Sequence, residues 1–368
     1  MSQTSETVLE IDLAALEHDY KYMRSKISAT TKILGVVKAF AYGSDAVKIA
    51  TRLEKLGADY FAVAYTKEGI TLREGGITKP ILVLHPQSSN FEELIQQRLM
   101  PNIYSKHTLE IFIDTAEKLQ QKNYPIHLKI NTGLNRLGFS YEELEWVLEK
   151  LNSTNSTKIE GVFSHLGASE DAAEKDFTLF QIENYQKAIH KILPQLKNKP
   201  ICHLCNTSGI INYPEAHYDM VRTGIGLYGY GNSAEEDRNL IPVGTLKTLI
   251  SQIHHIKKGE SVGYNRGFIA SKNTLTATLP IGHADGINRI YGKEKTDVLI
   301  NGERAPIIGN VCMDMLMVDV TNIDCKEGDE VILFGKEKSA EEFANNAGTI
   351  SYELVTSISQ RVKRNIIN

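Results

Sequence analysis

Lys32-Ile33-Leu34-Gly35-Val36-Val37-Lys38-Ala39-Phe40-Ala41-Tyr42-Gly43 joins a short, continuous apolar run to a lysine and then to a turn. A run of this length reads as a strand covered on both faces, the kind found in parallel sheets, because a half-exposed strand would alternate apolar with polar. Parallel strands need crossover connections, which are commonly helices. The sequence supplies them. Strand-length runs at 32–38, 60–64, 81–84, 102–104, 126–130, 159–164, 201–204 and 220–222 alternate with helical periodicity over 13–28, 46–56, 65–74, 91–97, 108–120, 141–150 and 175–193. Eight parallel strands are the number that closes a barrel. Lys38, Lys129, His165, Asn206 and Arg222 each fall at or just past the carboxyl end of a different strand. In a barrel those ends converge on one mouth, whereas an open sheet would use mainly one switch point. No glycine-rich dinucleotide or phosphate-loop pattern follows the first strand to argue for a nucleotide.

After Gly231-Asn232-Ser233-Ala234-Glu235-Glu236-Asp237 the texture changes, and turn signals separate strand-like runs directly. Runs at 245–255, 274–280, 297–300, 305–320 and 330–334, with a short helix around 340–347, predict a mainly β unit. The expected fold class is α/β: a (β/α)8 TIM-like barrel followed by a mainly β C-terminal domain. The boundary is placed near residue 237, giving domains 1–236 and 237–368. Within 1–12, the segment Thr7-Val8-Leu9-Glu10-Ile11-Asp12 reads as a strand that could pair with the second domain.

A chain of 368 residues with 42% hydrophobic and 23% charged residues is that of a globular protein with room for one large domain and a smaller one. A formal net charge of -4 and the absence of Lys/Arg runs give no footprint for nucleic acid or an acidic membrane surface, so small molecules are the expected partners. Residues 1–7 lack a positive region followed by an apolar core, and a cytoplasmic location is expected. Cys202, Cys205, Cys312 and Cys325 are too few and scattered for a disulfide scaffold. The Cys202–Cys205 spacing has no second ligand pair to complete a metal site, and no metal is expected. Asn152 and Asn155 fit the glycosylation pattern but read as polar loop.

The chemistry starts from Lys38. Burial disfavours an ammonium, which suits a lysine that must be unprotonated to form a Schiff base, although a lysine snorkelling out of a sheet would look the same in this segment alone. Two late segments offer phosphate donors: Asn206-Thr207-Ser208-Gly209 after the seventh strand and Arg222-Thr223-Gly224-Ile225-Gly226 after the eighth. Loops at these positions recur as phosphate sites in barrels. A Schiff-base lysine with a phosphate cradle suggests pyridoxal 5'-phosphate.

With those residues in place, the chain resembles the alanine racemases, fold-type III pyridoxal-phosphate enzymes, over nearly all its length. The resemblance is carried in order by Val36–Gly43, Asn135-Arg136-Leu137-Gly138-Phe139, Val221-Arg222-Thr223-Gly224-Ile225, Gly263-Tyr264, Ile281-Gly282-His283-Ala284-Asp285-Gly286, Val311-Cys312-Met313-Asp314 and Ile350-Ser351-Tyr352-Glu353. It implies a head-to-tail homodimer, alanine as substrate and D-alanine supply for peptidoglycan. Lys38 would be the cofactor-bearing lysine and one catalytic base, with Tyr264 from the partner subunit's β domain as the other. Exchanging handedness at Cα takes a proton from one face and returns one to the opposite face, which requires two bases. The resemblance further places Arg222 beside the pyridine nitrogen, His165 against the cofactor ring, and Arg136 towards the phenolic oxygen and the substrate. Tyr42, Thr207, Gly224, Ile225 and Tyr352 match phosphate-binding positions, with Asn206 and His203 nearby. Met313 matches the donor to the substrate carboxylate, with Asp314 beside it. Lys129 matches a lysine that is carbamylated in some members.

The chain also departs from the family pattern. Phe40 stands for the usual Asn, Ser44-Asp45 for His-Gly, Asn131 for Asp and Thr223 for Pro. At the substrate side, His283 stands for a usual Tyr and Asn310 for a frequent Arg, which points to an alternative, a broader-specificity amino-acid racemase that accepts serine. A decarboxylase of this fold type would set a carboxylate at the ring nitrogen, where this chain has Arg222. A non-catalytic pyridoxal-phosphate carrier would need only the barrel and Lys38.

Overall fold

The computed structural model describes residues 6–368; residues 1–5, part of the N-terminal stretch read above for a targeting signal, lie outside the described residues. The strands in chain order are β1 (Val8–Asp12), β2 (Lys32–Val36), β3 (Tyr60–Val63), β4 (Ile81–Val83), β5 (Met100–Ile103), β6 (Tyr124–Lys129), β7 (Thr157–Phe163), β8 (Ile201–His203) and β9 (Met220–Thr223). They continue with β10 (Gly244–Leu249), β11 (Gln252–Ile256), β12 (Ser261–Val262), β13 (Phe268–Ile269), β14 (Thr274–Leu279), β15 (Asp297–Ile300), β16 (Glu303–Ile308), β17 (Leu316–Asp319), β18 (Glu330–Phe334) and β19 (Lys363–Ile367).

Strands β2 to β9 form a closed parallel barrel, sealed by β2 against β9 with Lys32 opposite Met220 and Gly35 opposite Thr223. The fold class expected from the alternation of strands and helices holds. Barrel-strand side chains such as Ile33, Leu34, Phe61, Ala62, Leu82, Val83, Ile126 and Leu128 are fully buried, which is why these runs lack polar alternation.

The second unit is a nine-stranded sheet in the order β11-β14-β17-β16-β15-β18-β10-β1-β19, with β12 and β13 as a separate two-stranded ribbon. Strand β1 sits inside that sheet, antiparallel to β10 and parallel to β19, so the chain enters the barrel by way of the second unit. One hydrophobic core runs from the barrel into the sheet, taking in Leu9, Ile11 and Leu16 together with Leu246, Phe334 and Val355.

Several segments differ from the sequence expectation: the run at 245–255 is two strands, β10 and β11, and β12, β13, β19 and the helix Ser351–Ser357 have no counterpart in the sequence reading. The strand expected over 32–38 ends at Val36, and Lys38–Tyr42 forms a turn in which Ala39, Phe40, Ala41 and Tyr42 all have φ between +52° and +56°. The run at 305–320 is two strands, β16 and β17, separated by a loop holding Asn310, Met313 and Asp314. The helix expected over 141–150 begins three residues later, at Leu144–Asn152. Among the described residues no helix is long and apolar enough to cross a membrane, and no cluster of His, Cys, Asp and Glu is arranged to hold a metal ion.

Candidate active site

A cavity of about 690 Å³ opens at the carboxyl ends of the barrel strands. Among the described residues that line it are four basic side chains, Lys38, Lys129, Arg136 and Arg222, and no acidic one. Asn206, Thr207, Gly224 and Ile225 from the loops after β8 and β9 lie on its wall, as do Tyr42, His165 and Tyr352. Tyr352 comes from the helix Ser351–Ser357 of the second unit, so both parts of one chain build this cavity.

Lys38 begins the turn that leaves β2. Non-glycine residues in the left-handed region cost about 1–2 kcal/mol each, so the four from Ala39 to Tyr42 are retained only because their surroundings over-determine them. Gly43 completes the turn at φ +81°, and a Cβ there would lie 2.0 Å from the carbonyl oxygen of Val355. The Lys38 ammonium is disfavoured, first by burial and then by Arg136, with Glu68 acting in the opposite sense. The net effect lowers its pKa, as a nucleophilic amine requires.

Arg222, from β9, is buried and makes no ion pair with a carboxylate among the described residues. Its guanidinium donates to the Ser164 carbonyl at 2.7 Å, the Leu204 carbonyl at 2.8 Å, His203 Nδ1 at 2.9 Å and His165 Nδ1 at 3.1 Å. Arginine has donors only, so both Nδ1 atoms must accept and neutral His203 carries its proton on Nε2. That N–H points to His127 Nδ1 at 3.1 Å, which leaves the remaining proton of neutral His127 on Nε2, an atom without a hydrogen-bond partner among the described residues. Burial and then Arg222 hold all three imidazoles neutral: His165 and His203 fall well below their usual pKa, and His127 falls to about 3. Burial lowers Arg222 itself to about 10. Gly161 makes room for the chain, because a Cβ there would lie 2.4 Å from His127 Nδ1.

Lys129, at the end of β6, is buried with its Nζ 4.5 Å from the centre of the Phe163 ring, and the Arg222 guanidinium lies 5.3 Å from the same ring. Burial, followed by Arg222 and Arg136, lowers the Lys129 pKa well below its usual value. Arg136 itself is exposed, on the loop closed by the bridge between Ile130 and Phe139. Asn131 keeps the turn in that loop by accepting from the amides of Gly133 and Asn135, a task its carbonyl oxygen performs as a carboxylate would.

The remaining donors form a cradle. Thr207 Oγ1 lies 3.3 Å from the amides of both Gly224 and Gly226, and 3.4 Å from Thr223 Oγ1. A Cβ on Gly224 would lie 2.3 Å from Tyr42 Oη, so only glycine lets that hydroxyl approach the loop. Tyr42 stacks on Tyr228 with ring centres 4.6 Å apart, and Tyr352 tilts against it at 6.0 Å. Burial keeps the Tyr42 and Tyr352 phenols well above their usual pKa, so both remain hydrogen-bond donors. Amides, hydroxyls and cations with no carboxylate among them suit a phosphate monoester joined to a flat ring, and with the Lys38 amine present these residues fit pyridoxal phosphate.

Tyr264, His283, Met313 and Asp314 are not brought into this cavity. With Arg289, Asn310 and Cys312 they line a second cavity of about 360 Å³, which shares no lining residue with the first. Tyr264 is 75% exposed and Met313 59%. Asn310 donates to the Tyr264 carbonyl at 3.0 Å, and Arg361 bridges Asp285 (2.6 Å) to Asp314 (2.7 Å), joining the two loops of this face. Sequence reasoning had passed over His127, Phe163, Asn102 and Glu68, as well as Arg364. Only Glu68 left a signal, a glutamate three residues after the N-cap residue Tyr65.

The sequence model of the alanine racemase N-terminal domain matches residues 11–232, and that of the C-terminal domain matches residues 243–366. The chain is 37% identical to the alanine racemase of Thermodesulfovibrio yellowstonii over 366 residues, which is 97% of each protein. It is 39% identical to the one from Carboxydothermus hydrogenoformans, covering 96% of this chain and 98% of that one. Among solved structures it superposes on the alanine racemase of Clostridium difficile 630 with a TM-score of 0.92 at 36% identity, covering 99% and 96% of the two chains. The Bacillus anthracis alanine racemase, solved with bound L-Ala-P, gives a TM-score of 0.92 at 29% identity, covering 99% and 95%.

Proposed function

The chain belongs to the alanine racemase family of isomerases, and from that premise we propose that it interconverts L- and D-alanine with pyridoxal 5'-phosphate in the barrel cavity. The observation that carries this reading is the cavity lining, in which two deprotonation-prone lysines, Lys38 and Lys129, two arginines and a cradle of hydroxyl and amide donors converge without a carboxylate among the described residues. Lys38 would hold the cofactor, and Tyr42, Thr207, Gly224, Ile225 and Tyr352 would hold its phosphate, with Asn206 in support. When bound, the cofactor supplies a conjugated electron sink for the charge left at Cα.

The chain's own residues do the rest. Lys38 Nζ takes or returns the Cα proton from one side and Tyr264 Oη does so from the other. Arg222 would set a fixed positive charge beside the cofactor's ring nitrogen, which would limit how strongly negative charge is drawn away and favour prompt reprotonation over side reactions. His165 orients Arg222, and Arg136 and Met313 bind the substrate carboxylate side, with Asp314 held beside Met313 by Arg361. Lys129 would react as a neutral amine with carbon dioxide, forming an N–C bond and releasing one proton, to give a carbamate on which the charges of Arg222 and Arg136 act.

The two bases occupy separate cavities of one chain, which supports a homodimer in which Tyr264 of a second copy closes the barrel cavity. The exposed Tyr264, Met313 and Met315 of the second cavity suit such an interface. On this reading residues 1–236 serve as the cofactor-binding domain and 237–368 as the domain that completes the partner's site. The same reading places the enzyme in the cytoplasm, supplying D-alanine for peptidoglycan. A racemase with broader side-chain tolerance, including serine, is a second reading, motivated by His283 and Asn310 in the second cavity.

Alanine in deuterated water tests the proposal. The wild type should exchange the Cα hydrogen and racemise both enantiomers. Lys38→Ala should lose the cofactor's visible absorbance, and Tyr264→Phe should keep it while slowing proton removal from one enantiomer only. Cofactor binding without exchange would leave a carrier, and full activity in either variant would reject the role given to that residue.

A further inference from the structure

We propose that Glu68 and Arg364 are positioning residues that grip the left-handed turn of Lys38 from opposite sides and so aim its amine. The inference rests on the cofactor reading above. The turn is unfavourable in itself: four consecutive non-glycine residues hold positive φ, and neither alanine nor phenylalanine has an intrinsic preference for it. Its internal bonds, Ala41 N–H to the Val37 carbonyl at 3.0 Å and Gly43 N–H to the Ala39 carbonyl at 2.8 Å, close the loop but do not fix its orientation on the barrel.

Two external ties do. The amide of Ala39, the residue after Lys38, donates to Glu68 Oε1 at 2.6 Å. The other oxygen of Glu68 accepts from the amides of Ala64 at 2.7 Å and Tyr65 at 3.1 Å, which anchors the carboxylate to the end of the neighbouring barrel strand. One side chain therefore ties the Lys38 turn to β3. A carboxylate accepts along both oxygens, whereas an amide in its place would turn an NH2 group towards one of these donors.

At the far end of the turn, the Gly43 carbonyl accepts from Arg364 Nε at 3.2 Å and Nη2 at 2.7 Å. Arg364 belongs to β19 of the second unit, and its other bonds reach the carbonyls of Ile358 (2.8 Å), Ser359 and Val362 (2.5 Å each). All the hydrogen bonds it makes among the described residues go to the main chain. A planar fork can serve these carbonyls together, and a point-like ammonium cannot. The turn is thus held from the barrel by an anion taking an amide and from the sheet by a cation taking a carbonyl.

The test measures Lys38 directly. Cofactor-free wild type, Glu68→Ala, Glu68→Gln, Arg364→Ala and Arg364→Lys are incubated with pyridoxal phosphate over pH 6–10. Borohydride, as hydride donor, then reduces the C=N bond formed when Nζ displaces water from the aldehyde, and the modified Lys38 peptide is quantified by mass spectrometry. Thermal unfolding is followed in parallel. The expected result is an initial trapping rate at Lys38 reduced by about tenfold or more in Glu68→Ala and Arg364→Ala, as angstrom-scale misplacement of a reacting group produces, in proteins that still unfold cooperatively. The pH profile should shift in Glu68→Ala, which removes the one anion acting on that amine. Glu68→Gln and Arg364→Lys should fail to restore the wild-type rate. Variants that trap at the wild-type rate with an unchanged profile would overturn the clamp, whether or not they melt earlier. A wild type that traps nothing at Lys38 would instead overturn the cofactor reading.

Discussion

Replacing Arg222 with lysine should destabilise the protein even without cofactor. The guanidinium serves four acceptors, the Ser164 and Leu204 carbonyls and the Nδ1 atoms of His203 and His165. A lysine head is a single point without a planar fork and meets about two of them, so about two buried acceptors lose their donor at about 1–3 kcal/mol each, a loss of about 2–6 kcal/mol. The substitution also removes the fixed charge, because burial already lowers Arg222 to about 10 and a lysine in the same place would give up its proton. Such a loss is a large part of the 5–15 kcal/mol that holds an ordinary domain together. Urea unfolding of the cofactor-free wild type and Arg222→Lys at neutral pH measures the difference, and alanine racemisation by the loaded proteins should fall in the variant. A stability change below about 0.5 kcal/mol, the scale of an inconsequential surface substitution, would refute the reasoning.

Three further outcomes follow from the geometry. Lys129 should take up labelled bicarbonate reversibly and lose it on Lys129→Ala, and a wild type with no label at that residue by nuclear magnetic resonance would reject the carbamate. His283→Tyr should lower kcat/KM for serine relative to alanine, and an unchanged ratio would show that His283 does not set side-chain preference. Asp19 is fully buried, with its carboxylate accepting from the Ile241 amide at 2.9 Å and lying 3.1 Å from His18 Nδ1. Burial raises its pKa to about 8. The folded protein therefore keeps a proton that the unfolded chain releases near pH 4, so this group's contribution is fully present below pH 4 and is lost as pH rises towards 8. The slope is at most about 1.4 kcal/mol per pH unit. Asp19→Asn should flatten the dependence between pH 5 and 8, while Asp237, raised to about 7, leaves a residual slope in both proteins. Parallel curves would contradict the burial argument.

The sequence made the barrel legible because strands buried on both faces carry unbroken apolar runs, and because Lys38, His165 and Arg222 interrupt that pattern at strand ends. The turn after β2 was not legible. Only Gly43 announces positive φ, and Ala39, Phe40, Ala41 and Tyr42 adopt it because contacts distant in sequence hold them there. Those contacts are 29 residues away for Ala39 with Glu68 and 321 for Gly43 with Arg364, and both are made to main-chain atoms whose identity leaves no mark on the sequence. His127 was unreadable for a different reason. Inside a run of barrel-strand residues, an imidazole whose one bond goes to another imidazole resembles a histidine merely tolerated in the core. The candidate site residues of the second unit could be recognised by likeness, but their place relative to Lys38 could not, because one chain sets them in a separate cavity.

The carrier reading needs the barrel to be sufficient for the cofactor, and the arrangement of the second unit argues against that. Within one chain the second unit supplies Tyr352 to the cavity wall, the Val355 carbonyl that admits only glycine at position 43, and the Arg364 guanidinium on the Gly43 carbonyl. Three residues before Arg364, Arg361 binds Asp285 and Asp314 and so orders the loops that hold His283 and Met313. A single short segment thus braces the lysine of its own cavity and the face that would complete the cavity of a second copy. A protein that only stored its cofactor would gain nothing from joining these two surfaces, whereas an enzyme whose two bases come from different chains needs both held in register with the same fold. The double variant Arg361→Lys/Arg364→Lys should therefore impair trapping at Lys38 and slow proton removal on the Tyr264 side. If Arg361→Lys alone left alanine exchange by the loaded enzyme at the wild-type rate in both directions, the segment would be bracing only one of the two surfaces and this link between them would fall.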